Sequence, residues 1–234
     1  MPSKYNKTAT KSNYSRMSSF KEYENTEMEN TKKFWFESPF TFICAGFMII
    51  IHFLFWILSP TDILFNIPQQ DVIQFGLNNI LVAFDFFNNW YRLITSIFIH
   101  GNIFHLGGNI LFFVIFSLRL EELEGTKKTA FIFLIAGLGG NILTVILFPT
   151  SNLWSLGASG AVNGVFMANL VTMRKSYDKG SLTMLAFLVI FGSFTLAGQN
   201  ANFIAHIGGL LGGGLTMYYI EQYEKKHKRR MAHH

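Results

Sequence analysis

The chain has 234 residues, half of them hydrophobic, with 26 Phe and only 14% charged side chains, well under the roughly 25% of an ordinary soluble domain. The apolar residues fall in long blocks and the mean hydropathy is +0.30, which excludes a water-soluble globular class and points to an all-α integral membrane bundle. The pI near 9.3 does not argue for nucleic acid, because the basic residues lie in tails and short turns rather than along an exposed face interleaved with aromatics.

Residues 1–38 form a polar tail rich in Asn, Ser, Lys and Glu, with little power to fold alone. No signal peptide is expected, since no charged leader and small-residue cleavage site accompany the first apolar run. The Glu residues of the tail count against a mitochondrial transit peptide. Six apolar runs follow: Phe40–Leu58, Ile103–Leu118, Thr129–Phe148, Gly160–Met173, Leu182–Gly198 and Phe203–Ile220. A spanning helix needs about 20 such residues to cross roughly 30 Å of hydrocarbon. The fourth run falls short, covering only about 21 Å at about 1.5 Å per residue. It is expected to begin inside the membrane, after a non-helical stretch, Pro149–Ala158. Irregular backbone at that depth persists only where it is buried in protein or lines a wet cavity.

Two weaker pieces, Ile80–Phe87 and Leu93–Ile99, are too short to cross. They are expected to lie in the membrane interface within one long loop, residues 59–102. The membrane domain is thus expected over 39–221 and a basic tail over 222–234. Cys44, the one cysteine, rules out an internal disulfide and reads as a small packing residue. His52, midway along the first run, reads as structural or lumen-facing.

Of the 19 cationic side chains, all but Arg92 fall on one side if both termini are cytoplasmic. The opposite side keeps Arg92 with Asp62, Asp71 and Asp85. No Asp, Glu, Lys or Arg lies securely inside the runs. That argues against an aspartyl intramembrane protease and against a transporter coupled to buried charges. The absence of H-E-x-x-H disfavours a membrane zinc protease.

What remains is a set of weakly basic or uncharged groups: His100, His105, Asn109, Ser159, Asn163 and His206. With both termini inside, the second, fourth and sixth helices run inward from the outer face. His105 and Asn109 open the second, Ser159 opens the fourth, and His206 stands four residues into the sixth. All four then reach one depth in the outer part of the membrane. Ser159 sits in Gly157-Ala158-Ser159-Gly160, at a helix N-terminus whose free N–H groups favour developing negative charge. On its own the motif also fits a serine cap after a glycine turn.

His206 lies in Ala205-His206-Ile207-Gly208-Gly209. Gly209 and Gly213 make a small-xxx-small face, and Gly160 and Gly164 make another. Pairing these faces would bring His206 within about 3 Å of the Ser159 hydroxyl, as a general base requires. A lone membrane histidine also serves as a structural bond between helices. His105 and Asn109, four apart, share a helix face and can donate to an oxyanion, or else clasp two helices. His100 is expected in the loop, its role open.

The set Trp90-Tyr91-Arg92, His100-x4-His105-x3-Asn109, Gly157-Ala158-Ser159-Gly160 and Ala205-His206-x2-Gly209-x3-Gly213 resembles the rhomboid intramembrane proteases over residues 40–220. The resemblance implies a six-transmembrane-helix bundle with a short, central fourth helix. It implies Ser159 as nucleophile and His206 as general base, with an oxyanion hole of His105, Asn109 and the Ser159 backbone N–H. Arg92 matches a structural signature of the first loop. Glu121, four before Gly125, matches a glutamate that steadies the cytoplasmic end of the second helix. Where many members carry an aromatic four residues after the serine, this chain has Asn163, which can hydrogen-bond rather than stack.

The implied reaction is acyl transfer on single-span transmembrane substrates within membrane lipid, with no metal, no cofactor and no nucleic acid. A bacterial plasma membrane is expected, and a eukaryotic secretory-pathway membrane is the alternative. Two other readings compete. One is a catalytically inactive rhomboid-like factor that binds membrane proteins, which would be expected to lack the serine or histidine. The other is a small channel or transporter, which would carry a charged or repeated binding element in its spans.

Overall fold

The computed structural model describes residues 38–58, 66–152, 154–174 and 202–231. Their helices are α1 (Pro39–Leu58), α2 (Gln69–Phe75), α3 (Asn79–Phe84), α4 (Phe86–Asn89), α5 (Arg92–Phe98), α6 (Ile103–Glu124), α7 (Thr126–Leu147), α8 (Ser159–Met173) and α9 (Phe203–Met231). A short antiparallel ladder joins β1 (Leu77–Asn78) to β2 (Trp154–Ser155), with Leu77 opposite Ser155. Among the described residues, α1, α6, α7 and α9 are long and apolar enough to cross a membrane. The fifth apolar run, Leu182–Gly198, lies outside the described residues, as do residues 1–37, Asp62, Lys175 and Lys179.

On α1, Thr41, Cys44, Ala45, Met48 and His52 face inward, while Ile43, Phe47, Ile50, Leu54 and Ile57 are exposed. Both sets recur every three or four residues, so each is one stripe of a 3.6-residue helix. An outward stripe this long and apolar is compatible with lipid and costly in water. Helix α8 has no such stripe. Gly160–Phe166 is buried without interruption, and α6, α7 and α9 pack around it.

Helices α8 and α9 meet backbone to backbone. A methyl added at Gly209 would collide with the Gly160 carbonyl, and one at Gly213 with the Gly164 carbonyl. Helix α7 joins the same cluster: a methyl at Gly208 would stand 2.6 Å from the Gly139 oxygen, and one at Gly140 would strike the Ala205 carbonyl. Where lipid surrounds the bundle there is little hydrophobic drive between helices, so close van der Waals contact along small residues takes its place.

Two elements show more than the sequence expectations specified. Leu93–Ile99, expected at the membrane interface, is packed against protein. Leu93, Ser96, Ile97 and Ile99 are buried, and Ile97 fills the space beside Gly137 of α7. The amphipathic stripe of α5 is satisfied by protein rather than by the lipid boundary. The last helix continues past Ile220 to Met231, through residues expected as a tail. Glu221 and Glu224 allow this: Glu221 pairs with Arg174 at 2.6 Å, and Glu224 with Lys128 at 2.6 Å. These contacts anchor the extension to the ends of α8 and α7.

Glu121, 2% exposed, closes the same end of the bundle. Its Oε1 accepts from the Phe40 N–H at 3.0 Å and the Thr126 hydroxyl at 2.8 Å. Its Oε2 accepts from the Thr41 N–H at 3.0 Å and the Thr41 hydroxyl at 2.7 Å. The first N–H groups of a helix have no partner within it, so a carboxylate from α6 caps α1 across 80 residues of sequence.

Glu121→Ala is expected to destabilise the protein in detergent by about 3 kcal/mol, because it strips several buried donors at once, with Glu121→Gln intermediate; thermal unfolding of the purified variants checks this. Gly209→Ala or Gly213→Ala should cost about 1–3 kcal/mol by forcing α8 and α9 apart. Gly46→Ala and Gly107→Ala, where nothing lies within 4 Å, should be neutral or stabilising by up to about 1 kcal/mol through helix propensity.

Candidate active site

The described residues between α7 and α8 form no helix, so most of their polar backbone needs other partners. Asn79 Nδ2 donates to the Phe148 carbonyl at 3.0 Å, and Asn78 Nδ2 to Asn152 Oδ1 at 3.0 Å. The β1–β2 ladder holds Trp154 and Ser155. The Gly157 N–H donates to the Ser96 carbonyl at 2.8 Å, and the Ala158 N–H to His100 Nε2 at 3.3 Å. His100 is fully buried in the loop before α6, and accepting at Nε2 puts the proton of its neutral ring on Nδ1. His52 Nδ1 stands 3.2 Å from the His100 carbonyl. Both histidines thus hold the turn that leads to Ser159.

That turn needs a glycine. Gly157 has φ +114°, and an added Cβ would lie 2.8 Å from both Cε1 and Nε2 of His105. A side chain there would be strained and would press on the imidazole. Ser159 then begins α8, where Gly160 and Ala161 also line the cavity. Helix α9 lies against this start, close enough that a Cβ on Gly160 would stand 3.0 Å from the Ala205 carbonyl. The next residue, His206, sets Nε2 2.8 Å from Ser159 Oγ. His206 is 4% exposed.

Both side chains open on a cavity of about 500 Å³. Asn102, His105, Asn141, Ser155 and Asn202 supply polar groups, while Ile97, Gly137 and Ala161 supply an apolar wall. His105 faces the cavity, its Nδ1 accepting from the Gly101 N–H at 3.4 Å. Asn109 sits behind it and is not among the lining residues. Its Nδ2 donates 2.9 Å to the His105 carbonyl and lies 3.9 Å from the point a Gly157 Cβ would occupy. An amide nitrogen carries two hydrogens, so this bond leaves one for another acceptor. Asn163 turns to its own helix, Nδ2 donating to the Ser159 carbonyl at 2.9 Å.

Arg92 is buried away from the cavity. Its Nη1 donates to the Ile73 carbonyl at 2.7 Å and the Gly76 carbonyl at 3.0 Å, and its Nε to Asn89 Oδ1 at 2.8 Å. Asn89 in turn donates to Asp85 Oδ2 at 3.2 Å. The guanidinium also lies over the Tyr91 and Trp154 rings, 5.2 and 5.6 Å from their centroids. It ties the first loop to β2, next to the cavity wall.

Sequence reasoning passed over Ser96, Asn141 and Asn202. Asn141 Nδ2 donates to the Leu93 carbonyl at 2.8 Å and to Ser96 Oγ at 2.9 Å. A lone amide in an apolar run was the available signal. For Asn202 the signal was an N-cap residue type just ahead of the last run.

A family model described as the rhomboid domain matches residues 88–223. Among curated proteins, Rhomboid-like protease 3 of Toxoplasma gondii is 32% identical over 151 residues, covering 61% of this chain and 56% of the relative. RHOMBOID-like protein 6, mitochondrial, of Arabidopsis thaliana is 38% identical over 132 residues, 54% of this chain and 42% of the relative. Inactive rhomboid protein 1 of Drosophila melanogaster is 33% identical over 152 residues, 59% of this chain and 10% of the relative. The chain thus spans about half the length of the first two of these relatives, and far less of the third.

Proposed function

The chain belongs to the rhomboid family, and on that premise we propose that it is an intramembrane serine endopeptidase cleaving single-span transmembrane substrates near the outer membrane face. The observation that carries this reading is the 2.8 Å approach of His206 Nε2 to Ser159 Oγ, within the reach that a general base needs.

In this reading the proton of the Ser159 hydroxyl passes to His206 Nε2 as Oγ bonds to the carbonyl carbon of a partly unwound substrate helix. The carbonyl oxygen takes up negative charge and is met by the Ser159 N–H, His105 and the free amide hydrogen of Asn109. His206 then returns its proton to the departing amine, leaving an acyl-enzyme. Water loses a proton to His206 as it attacks the ester, and that proton goes back to Ser159 Oγ. The polar cavity lining at Asn102, Asn141 and Ser155 supports a route for that water. Gly157, Gly160, Gly209 and Gly213 serve the reaction by allowing the close approach, and Asn163, Arg92 and Glu121 by supporting the elements around it. No metal or cofactor enters.

The wider assignment follows the same reading. Six transmembrane helices over 39–221, with α8 as the short central one, would carry both termini on the cytoplasmic side. Membrane lipid would surround the bundle, in a bacterial plasma membrane or in a eukaryotic secretory-pathway membrane. An inactive, membrane-protein-binding role has one observation in its favour, the similarity to a relative named inactive. Retention of Ser159 and His206 in hydrogen-bonding contact favours the protease.

Purified protein in detergent should cleave a model single-span substrate, and Ser159→Ala should abolish cleavage; cleavage that survived this substitution would sink the mechanism. A fluorophosphonate should label Ser159 in the parent and fail to label His206→Ala. His105→Ala and Asn109→Ala are each expected to lower kcat about 100- to 1000-fold, the range for losing one oxyanion donor, with KM little changed. Steady-state assays on the two variants test this, and an unaltered kcat would remove that residue from the oxyanion role.

A further inference from the structure

We propose that Asn202 is a positioning residue that sets His206 against Ser159, by starting α9 at a fixed place and tying that start to the strand leading into the nucleophile turn. This rests on the Ser159–His206 reading above. Asn202 immediately precedes α9 and lines the cavity. Its Oδ1 accepts from the Ala205 N–H at 3.1 Å, the side-chain bond of an N-cap. Its backbone carbonyl accepts from the His206 N–H at 3.3 Å. The base therefore sits in the one helical turn whose start Asn202 defines.

The other face of the amide reaches two separate elements. Nδ2 donates to Ser155 Oγ at 2.9 Å and to Thr144 Oγ1 at 3.1 Å. Thr144 Oγ1 donates to the Gly140 carbonyl at 2.9 Å, which leaves its lone pairs to accept from Asn202. Ser155 stands two residues before Gly157, so one side chain joins the turn of the nucleophile, the end of α7 and the helix of the base. An ordinary cap would satisfy the helix and nothing else. The glycine contacts set how near α8 and α9 come, and Asn202 sets where along that contact the first turn of α9 begins. A displacement of about 1 Å between reacting groups can cost about 100-fold in rate, so a loosened first turn should register in catalysis.

The test is the rate of fluorophosphonate labelling of Ser159, with kcat and KM on a single-span substrate, in full-length protein. Asn202→Ala should slow labelling and kcat about 10- to 100-fold with KM near the parent value. Asn202→Asp keeps the oxygen that caps Ala205, and the Ser155 hydroxyl can turn to donate to it, so most of the rate should return. A parent-like rate in Asn202→Ala, with His206→Ala still dead, overturns the proposal and spares the dyad. Failure of Asn202→Asp to recover the rate also overturns it. Parent-like labelling in His206→Ala would remove the dyad and this proposal together. Should Asn202→Ala not fold, Ser155→Ala removes one tie alone and should slow labelling about fivefold, the worth of one hydrogen bond; a parent rate there counts against the proposal.

Discussion

The contact on which the rest depends is the one between the backbones of α8 and α9. Gly160 faces Gly209, and Gly164 faces Gly213, with no side chain between them. Residues with a Cβ would hold two helices 8 Å or more apart. Here the spacing is small enough for an imidazole on one helix to reach a hydroxyl at the start of the other. The approach is an absence of atoms, repeated every four residues along both helices, and it converts two ordinary polar side chains into a hydrogen-bonded pair.

Close helices alone would not open that pair to a cavity. The backbone leading into Ser159 is irregular, and irregular backbone surrounded by lipid would carry unmet donors and acceptors. Ser96, His100 and strand β1 supply partners for it, and all of them come from the long first loop. That loop therefore does more than connect two spans. Its helix α5 is packed inside the bundle, and Arg92 holds α2, α4 and β2 together with carbonyl acceptors and aromatic faces. A cation so placed is stabilised by several carbonyl dipoles, and Asn89 links it to a carboxylate, Asp85.

The far end of the bundle is governed by charge instead. Glu121 spends its carboxylate on the free N–H groups of α1, while Glu221 and Glu224 draw Arg174 and Lys128 toward α9. These pairs are half-buried, and that of Arg174 with Glu221 is bidentate. The buried Glu121 cap matters more, because its donors have no water to fall back on. One molecule thus uses glycine packing at the end with the cavity and ionic or capping contacts at the other.

Much of this was legible in the residues themselves. Long apolar blocks name the spans, because twenty apolar residues in a row have few other uses. The four-residue spacing of Gly160, Gly164, Gly209 and Gly213 names the faces that can come together, and a helix too short to span names the place where backbone must be irregular. These are local patterns, and periodicity records them. The hydrogen bonds that organise the site and the far end of the bundle join residues 47 to 81 positions apart: Asn202 to Ser155, His206 to Ser159, Glu121 to Phe40. Such pairs leave no periodic trace, since an asparagine before a helix reads the same whether it caps that helix alone or also grips two neighbours. The burial of α5 was likewise undecided, because an amphipathic stripe is equally content against lipid or protein. Only the packing of α7 beside it, with Gly137 making room for Ile97, decided which.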